Sequence, residues 1–221
     1  MSTLSAILGV DEAGRGPVVG DMFVACVCID SSDVGKLVAL GVRDSKALDR
    51  RRREELFPRI LEVAKVVVVA RATPREIDST NLNKLFLDKV VEVVKRALSM
   101  YRVGRAEVFI DSAGDPSRVS RAVEASLKGL AKEIRVVAEH GADSRYPVVG
   151  AASIVAKVLR DWHIDSLKAI YGDFGSGYPS DPRTREWLER VAREGSIPPI
   201  VRKSWATVRK LLSKTLLDYL G

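Results

Sequence analysis

The sequence predicts an α/β fold in which a mixed five-stranded sheet is flanked by helices and followed by a C-terminal helical region. Three observations carry this prediction. Two apolar runs separated by a glycine-rich turn open the chain, apolar strand-like runs then alternate with helical patterns, and residues 183–221 show helical patterns alone. Strands that first form a hairpin and then alternate with helices are typical of a mixed sheet with helices on its faces.

The early part of the chain contains three predicted strands and two predicted helices. Apolar and β-branched runs predict the strands at residues 7–10, 22–29 and 63–69. Asp49 is a suitable N-cap for a helix that starts in the basic run after it. Ser79 or Thr80 is the expected cap of a longer helix, whose apolar residues recur with spacings of three and four.

Strands and helices alternate in the later part of the chain. We predict strands at residues 106–110 and 134–138, and helices at residues 117–130, 148–170, 183–193 and 204–220. Pro147 suits the first turn of the 148–170 helix. Asp115 is expected to start a helix, and Gly172 to Pro182 are expected to form a loop.

Length and composition limit the domain organisation. The chain has 221 residues, which suffices for one substantial core, and 46% of them are hydrophobic. We predict a catalytic domain over residues 1–182 and a helical region packed beside it over residues 183–221. The sequence shows neither an apolar run of membrane-spanning length nor a secretory leader, so a cytoplasmic location is expected.

The charge balance points to a class of partner without deciding it. The formal net charge is +7 at pH 7, which suits a polyanion such as a nucleic acid. Charged residues make up 29% of the chain, and such a surface is also typical of thermostable proteins.

The turn after the first strand carries the chemistry. Asp11 and Glu12 end that strand, and Gly14, Arg15 and Gly16 follow. Carboxylates can hold a metal ion, while glycine backbone and an arginine can hold a phosphate. The stretch therefore suggests an enzyme that acts on a phosphodiester.

Further carboxylates are placed to join Asp11. Asp111 ends a later strand, and acids at the same ends of neighbouring strands converge at one edge of a sheet. Asp143 lies just before a helix. Glu12 can reach the same site as Asp11 only if the strand ends or bends there, because successive strand residues face opposite ways. Hard carboxylate oxygens suit Mg²⁺ or Mn²⁺, and two such ions roughly 3.5–4 Å apart can assist an in-line displacement.

Several segments resemble one known family, type 2 ribonuclease H (RNase HII). The matching segments occur in the family's order. They are Asp11-Glu12-Ala13-Gly14-Arg15-Gly16, Asp44-Ser45-Lys46, residues 151–157 with Arg160-Asp161, residues 175–181, and residues 202–207. The last of these segments resembles archaeal and eukaryotic-type members. The resemblance implies the ribonuclease H-like fold. It also implies a generally monomeric protein.

The resemblance implies an activity and a metal site. Asp11, Glu12, Asp111 and Asp143 match the family's four metal-site acids, which makes them the candidate catalytic residues with Mg²⁺ or Mn²⁺. The implied enzyme is an endonuclease that hydrolyses the RNA strand of RNA/DNA hybrids and cuts 5′ of ribonucleotides embedded in duplex DNA. Two-metal-ion hydrolysis would leave 3′-hydroxyl and 5′-phosphate ends.

Candidate substrate contacts come from residues and resemblance together. An enzyme that distinguishes RNA from DNA must contact the 2′-hydroxyl. Backbone groups at residues 14–16 and the ring of Tyr178 are suited to this task, and the resemblance adds phosphate contacts. The full candidate set is Gly14, Arg15, Gly16, Lys46, Ser153, Lys157 and Tyr178.

Alternatives stay open at this point. The chain fits another metal-dependent nuclease or resolvase of the same fold, or a noncatalytic nucleic-acid-binding domain that leaves the strand-end acids unused. His140 is more simply a polar loop residue than a base or ligand. Leu216 and Tyr219 faintly resemble a sliding-clamp-binding motif, although an amphipathic end of the last helix explains them as well.

Overall fold

The computed structural model describes residues 4–42 and 48–220, with side chains as far as Ser213. Its centre is a five-stranded sheet in the order β3-β2-β1-β4-β5. The strands are β1 (Ser5–Ala13), β2 (Met22–Asp30), β3 (Val66–Ala72), β4 (Arg105–Asp111) and β5 (Glu133–Glu139). The predicted number of strands is therefore confirmed.

The pairing of β1 makes the sheet mixed, as predicted. It runs antiparallel to β2, with Ala13 opposite Phe23 beside the turn, and parallel to β4. Val10 lies opposite Ile110, so the next residue on each strand is an aspartate. β5 continues the parallel half of the sheet.

Helices follow most strands in the described ranges. They are α1 (Val34–Leu40), α2 (Arg50–Val63), α3 (Pro74–Ser79), α4 (Leu82–Met100), α5 (Pro116–Ser126), α6 (Ala142–Arg145), α7 (Pro147–Tyr171), α8 (Pro182–Arg193) and α9 (Ala206–Leu220), with a 3₁₀ turn at Ser31–Asp33. Among the described residues, no helix combines the length and apolar character needed to cross a membrane.

The chain divides into two compact units, and each has its own apolar cluster. The first unit comprises residues 1–13, 23–71 and 86–159. Its cluster packs alternate residues of β2 against α1, α2 and the small residues of α7, including Ala151 and Ala152. The predicted boundary between residues 182 and 183 stays a prediction.

The second unit comprises residues 14–22, 72–85 and 160–221. Its cluster joins Val18 and Val19 to the later turns of α7, to α8 and to the start of α9. An isolated bridge pairs Val19 with Val201, which adds extended backbone to this unit.

Several local predictions differ from the structure, and the following three illustrate the reasons. Helix α2 continues to Val63, so β3 begins at Val66 rather than at residue 63. Helix α1 was not predicted, because it is only seven residues long and contains a glycine. The side chain of Asn81, not of Ser79 or Thr80, accepts the first amide hydrogen bonds of α4.

Candidate active site

Three carboxylates meet at the edge of the sheet where β1 and β4 end. Asp11, Asp111 and Asp143 each offer an oxygen, and these oxygens all lie within 4.8 Å of one another. Asp11 and Asp111 come from the paired strands, and Asp143 comes from α6. Side chains from distant parts of the sequence therefore form one acidic group.

A hydrogen bond fixes one of these carboxylates, and another is buried. The backbone N–H of Gly141 donates to Asp111 Oδ1 over 3.1 Å, which ties the end of β4 to the segment that leads into α6. Asp143 is only 2% exposed.

Asp11 is a buried member of this acidic group. Its side chain is 6% exposed, and desolvation raises its pKa well above the ordinary value. The charges of Glu12 and Asp111 raise the pKa further, while hydrogen bonds from Ser153 and from the Glu12 backbone lower it. The Glu12 bond measures 2.7 Å from N to Oδ1. Charged acids crowded in this way match a site for a divalent cation.

Glu12 stands apart from the other predicted metal-site acids. Its carboxylate is not a member of the three-residue group, although its charge acts on Asp11. It lies opposite Val24 in the β1–β2 ladder and is half-buried. The alternation of strand residues explains this placement, since Asp11 and Glu12 are consecutive residues of β1.

The structure gives the two predicted phosphate contacts of α7 different surroundings. Ser153 is completely buried, and its hydroxyl donates to the Asp11 carboxylate. Lys157, four residues further along the helix, is half-buried. The sequence gives no sign of the bond between Ser153 and Asp11, because that contact depends on how α7 packs against β1.

The Gly14–Gly16 loop requires glycine at its first position. Gly14 has φ of 84°, and an added Cβ would lie 2.6 Å from the carbonyl oxygen of Asp21. A side chain at Gly16 would sit 3.5 Å from the ring of Tyr178, and this position is exposed. The loop therefore presents bare backbone next to an aromatic ring within the second unit.

Arg15 and Asn83 form a contact that the sequence did not reveal. The guanidinium of Arg15 donates to the side-chain oxygen of Asn83, at the start of α4. Asparagine near the start of a helix is commonly a cap, so the sequence alone does not predict that Asn83 also bonds Arg15.

Tyr178 is held at the surface by a braced loop. Its ring is 38% exposed, and the guanidinium carbon of Arg160 lies 5.3 Å from the ring centroid. Arg160 also donates to the carbonyl of Ser176 over 2.9 Å. The Ser176 N–H in turn donates to Asp181, and such bonds lower the pKa of Asp181 to about 2. The ring is thereby available as a stacking surface.

Comparisons with known proteins decide the family. The family model described as Ribonuclease HII matches residues 8–208. A Ribonuclease HII of Pyrococcus horikoshii is 45% identical over 93% of this chain and 92% of its own length. The chain belongs to the ribonuclease HII family.

Solved structures agree with this assignment. The crystal structure of ribonuclease H2 from Pyrococcus horikoshii has a TM-score of 0.86 at 43% identity, covering 96% of this chain and 99% of that chain. The structure of a PCNA:RNase HII complex from Archaeoglobus fulgidus has a TM-score of 0.82 at 41% identity, with coverages of 96% and 99%. Bst-RNase HIII in complex with Mn²⁺ has a TM-score of 0.79 over 96% of this chain and 70% of that chain, and at 21% identity it shows the fold alone.

The family assignment settles the activity class. This ribonuclease HII is an endoribonuclease, a hydrolase of phosphodiester bonds with the ribonuclease H-like fold. The expected mixed sheet flanked by helices is thereby confirmed.

Two other predicted positions in this ribonuclease HII have ordinary structural roles. His140 Nδ1 donates to the carbonyl of Ser112 over 2.6 Å, in keeping with a polar loop residue. Asp115 accepts hydrogen bonds from the N–H groups of Ser117 and Arg118 and caps α5, as predicted. Lys46 lies outside the described residues.

Proposed function

We propose that this ribonuclease HII hydrolyses the RNA strand of RNA/DNA hybrids and cuts 5′ of ribonucleotides embedded in duplex DNA, leaving 3′-hydroxyl and 5′-phosphate ends. The observation that carries the proposal is the group formed by Asp11, Asp111 and Asp143. The family assignment supports the choice of substrate.

The chemistry of the donor set fits a divalent cation. Carboxylate oxygens are preferred ligands of Mg²⁺ and Mn²⁺. Asp11, Asp111 and Asp143 would hold the metal, and Glu12 is proposed as the fourth acid through its neighbouring charge. When bound, one or two such ions would supply an acidified water and neutralise charge on the departing 3′-oxygen.

The protein's own residues position the substrate in this proposal. Backbone groups of Gly14, Arg15 and Gly16 recognise the ribonucleotide and its phosphate, because no side chain at either glycine blocks the approach. Tyr178 packs its exposed ring on the sugar at the RNA–DNA junction. Lys157 and Lys46 contact the phosphate backbone, while Ser153 acts through its bond to Asp11.

Replacement of one carboxylate tests the catalytic assignment. Asp111→Asn keeps the size of the side chain but removes its charge, so Mg²⁺-dependent cleavage should fall about 100-fold or more. Asp115→Asn is a matched control, since asparagine caps a helix as well as aspartate does. Cleavage sites are mapped on a DNA duplex with one ribonucleotide, with Mg²⁺ and Mn²⁺ compared. Near-wild-type cleavage by Asp111→Asn would show the assignment to be wrong.

The same assay separates ribonucleotide recognition from other nuclease activities. A matched all-DNA duplex should stay intact, because it lacks the 2′-hydroxyl that the Gly14–Gly16 loop and Tyr178 are proposed to sense. Equal cutting of both duplexes would instead indicate another metal-dependent nuclease or resolvase of this fold.

We also propose that the C-terminal tail binds a sliding clamp. One of the similar solved structures is a PCNA:RNase HII complex. In this chain, Leu216 and Tyr219 fall within the residue range of α9. Deletion of residues 213–221 should abolish binding to PCNA while cleavage of a short duplex continues. Unchanged PCNA binding after the deletion would exclude the tail as the contact.

A further inference from the structure

Arg202 is a buried cation in a part of the chain that the catalytic scheme above does not use. Its side chain has no exposed surface. The segment that carries it runs beside the residues after the Gly14–Gly16 loop: Gly20 N–H donates to Ile200 O over 2.8 Å, and Arg202 N–H donates to Val18 O over 2.9 Å. Two backbone hydrogen bonds thus tie residues 200–202 to residues 18–20.

The guanidinium of Arg202 is bonded to the carbonyl oxygens of the loop. Nη2 donates to Gly14 O over 2.6 Å, Nη1 donates to Arg15 O over 2.9 Å, and Nε donates to Gly20 O over 2.9 Å. Burial lowers the pKa of Arg202 to about 10, so the group still carries its charge at neutral pH. One planar guanidinium therefore donates to three carbonyl groups, two at the start of the turn and one at its end.

Trp205 completes the set of donors. Its Nε1–H donates to Gly16 O over 3.3 Å, and the Arg202 guanidinium carbon lies 5.2 Å from the ring centroid. The carboxylate of Asp78 accepts from the N–H groups of Lys203 and Ser204, over 2.8 and 2.9 Å, and so fixes the backbone between the two donors. All three carbonyls of the Gly14–Gly16 loop accept hydrogen bonds from residues 202–205.

This arrangement determines where the loop's amide hydrogens point. In a trans peptide unit, the C=O and the following N–H point in opposite directions, and the described chain has no cis peptide bond. Because the carbonyls of Gly14 and Arg15 face Arg202, the N–H groups of Arg15 and Gly16 face away from it. The buried side chain consequently sets the direction of two donors that it does not touch.

We infer that Arg202 is a positioning residue for ribonucleotide recognition, which it serves by aiming the Arg15 and Gly16 N–H groups at the ribose and its phosphate. The inference rests on the proposed role of the loop in substrate binding. Lysine keeps the charge of Arg202 but has a single nitrogen, so it cannot reproduce the fork that spans three carbonyls. Arg202→Lys is therefore the informative substitution.

The test measures binding without cleavage. Fluorescence anisotropy in EDTA gives the Kd for a DNA duplex with one ribonucleotide and for the matched all-DNA duplex. Arg202→Lys should weaken binding of the ribonucleotide duplex about tenfold, since a small displacement of positioned donors has large effects. Binding of the all-DNA duplex should change less than about twofold, because the charge that attracts phosphates is retained.

A matched control separates positioning from stability. Leu188→Ala truncates a buried apolar side chain of α8 in the same unit, which donates no hydrogen bond to the loop, and should lower Tm while preserving the ratio of the two Kd values. A folded Arg202→Lys variant that keeps the wild-type ratio would overturn the inference. A variant with a lower Tm but an unchanged ratio of Kd values would also overturn the inference.

A second variant decides the matter if Arg202→Lys does not fold. Trp205→Phe keeps an aromatic ring and removes only the donor to Gly16 O. A ratio reduced about twofold or more supports the inference, and an unchanged ratio overturns it. If the wild-type protein neither cuts nor prefers the ribonucleotide duplex, the proposed function fails instead, so the two failures are distinguishable.

Discussion

At the scale of single residues, the site depends on a buried acid and the few groups that surround it. Asp11 is almost completely removed from solvent and lies beside two other negative charges. The Ser153 hydroxyl opposes this effect because its hydrogen bond favours the ionised carboxylate. The same bond fixes the orientation of the carboxylate oxygens, so Ser153 supports Asp11 in the metal-binding role proposed for it.

Removal of the Ser153 hydroxyl should weaken metal binding. Ser153→Ala leaves the Asp11 carboxylate less fixed in direction, and the loss of such a supporting partner typically costs about 10-fold in metal affinity. The measurement is the Mg²⁺ concentration that gives half-maximal cleavage. Ser126→Ala, which removes a hydroxyl bonded to the carbonyl of Ala122 in α5, is the control. Equal Mg²⁺ requirements in the two variants would contradict this role.

Sequence reasoning reached some of these residues and not others for a physical reason. Asp11 directly follows the apolar run at residues 7–10, and Asp111 ends β4, so a local pattern marks both. The partners of Ser153 and Arg202 depend instead on packing between distant segments, and Arg202 lies 188 residues from Gly14. Neither hydrophobic periodicity nor a motif spacing encodes such a contact.

At the scale of secondary structure, the close approach of α7 to β1 places the site. A Cβ added at Gly9 would lie 2.3 Å from the backbone carbon and oxygen of Val148. Only glycine allows the first turn of α7 to rest directly on the strand that carries Asp11. This contact also brings Ser153, less than two turns further along α7, to the carboxylate.

Gly9→Ala should therefore destabilise the protein strongly. Backbone atoms cannot move aside as a flexible side chain can, so we expect a loss of about 3 kcal/mol in the free energy of unfolding. For a chain of this length, that corresponds to a Tm lower by about 6–12 °C. Thermal unfolding followed by circular dichroism measures the change.

Gly35→Ala provides the opposite control. Gly35 lies inside α1, and nothing stands within 4 Å of an added Cβ. Alanine in a helix interior should stabilise by about 0.5–1 kcal/mol. Equal Tm values for the two variants would show that the packing of β1 against α7 is not as tight as the structure indicates.

Element boundaries were predicted less well than the elements themselves. The β-branched run that predicts β3 starts at Val63, yet that residue ends α2 because helical hydrogen bonding continues through the preceding turn. Asp49 was predicted as the cap of α2 and accepts the N–H of Arg52 over 2.7 Å. A helix start that is marked by a capping side chain is easier to predict than the residue at which a helical apolar pattern gives way to a strand-like one.

At the scale of the whole molecule, the net charge of +7 is the property most relevant to a nucleic-acid substrate. Part of this charge is committed to ion pairs on helix surfaces, such as the pair of Arg50 with Glu54 and that of Arg51 with Glu55. The net excess nevertheless attracts a polyanion over distances of about a Debye length.

Duplex binding should therefore depend strongly on salt. An increase from about 50 to 200 mM should weaken binding of the ribonucleotide duplex and the all-DNA duplex by similar factors, because counterion release does not depend on the sugar. Anisotropy titrations at several salt concentrations give the slope of log Kd for each duplex. Slopes near zero would indicate that backbone phosphates contribute little to binding.

The bonds between Arg202 and the Gly14–Gly16 loop also bear on how the enzyme is made. During synthesis, Gly14 leaves the ribosome before Arg202 does, because 188 residues separate the two. The hydrogen bonds between the Arg202 guanidinium and the loop carbonyls therefore form only after this whole stretch has been made. Asp11, Asp111 and Asp143 all precede Arg202 in the sequence, so the chain can assemble its acidic group before Arg202 is available to hold the loop.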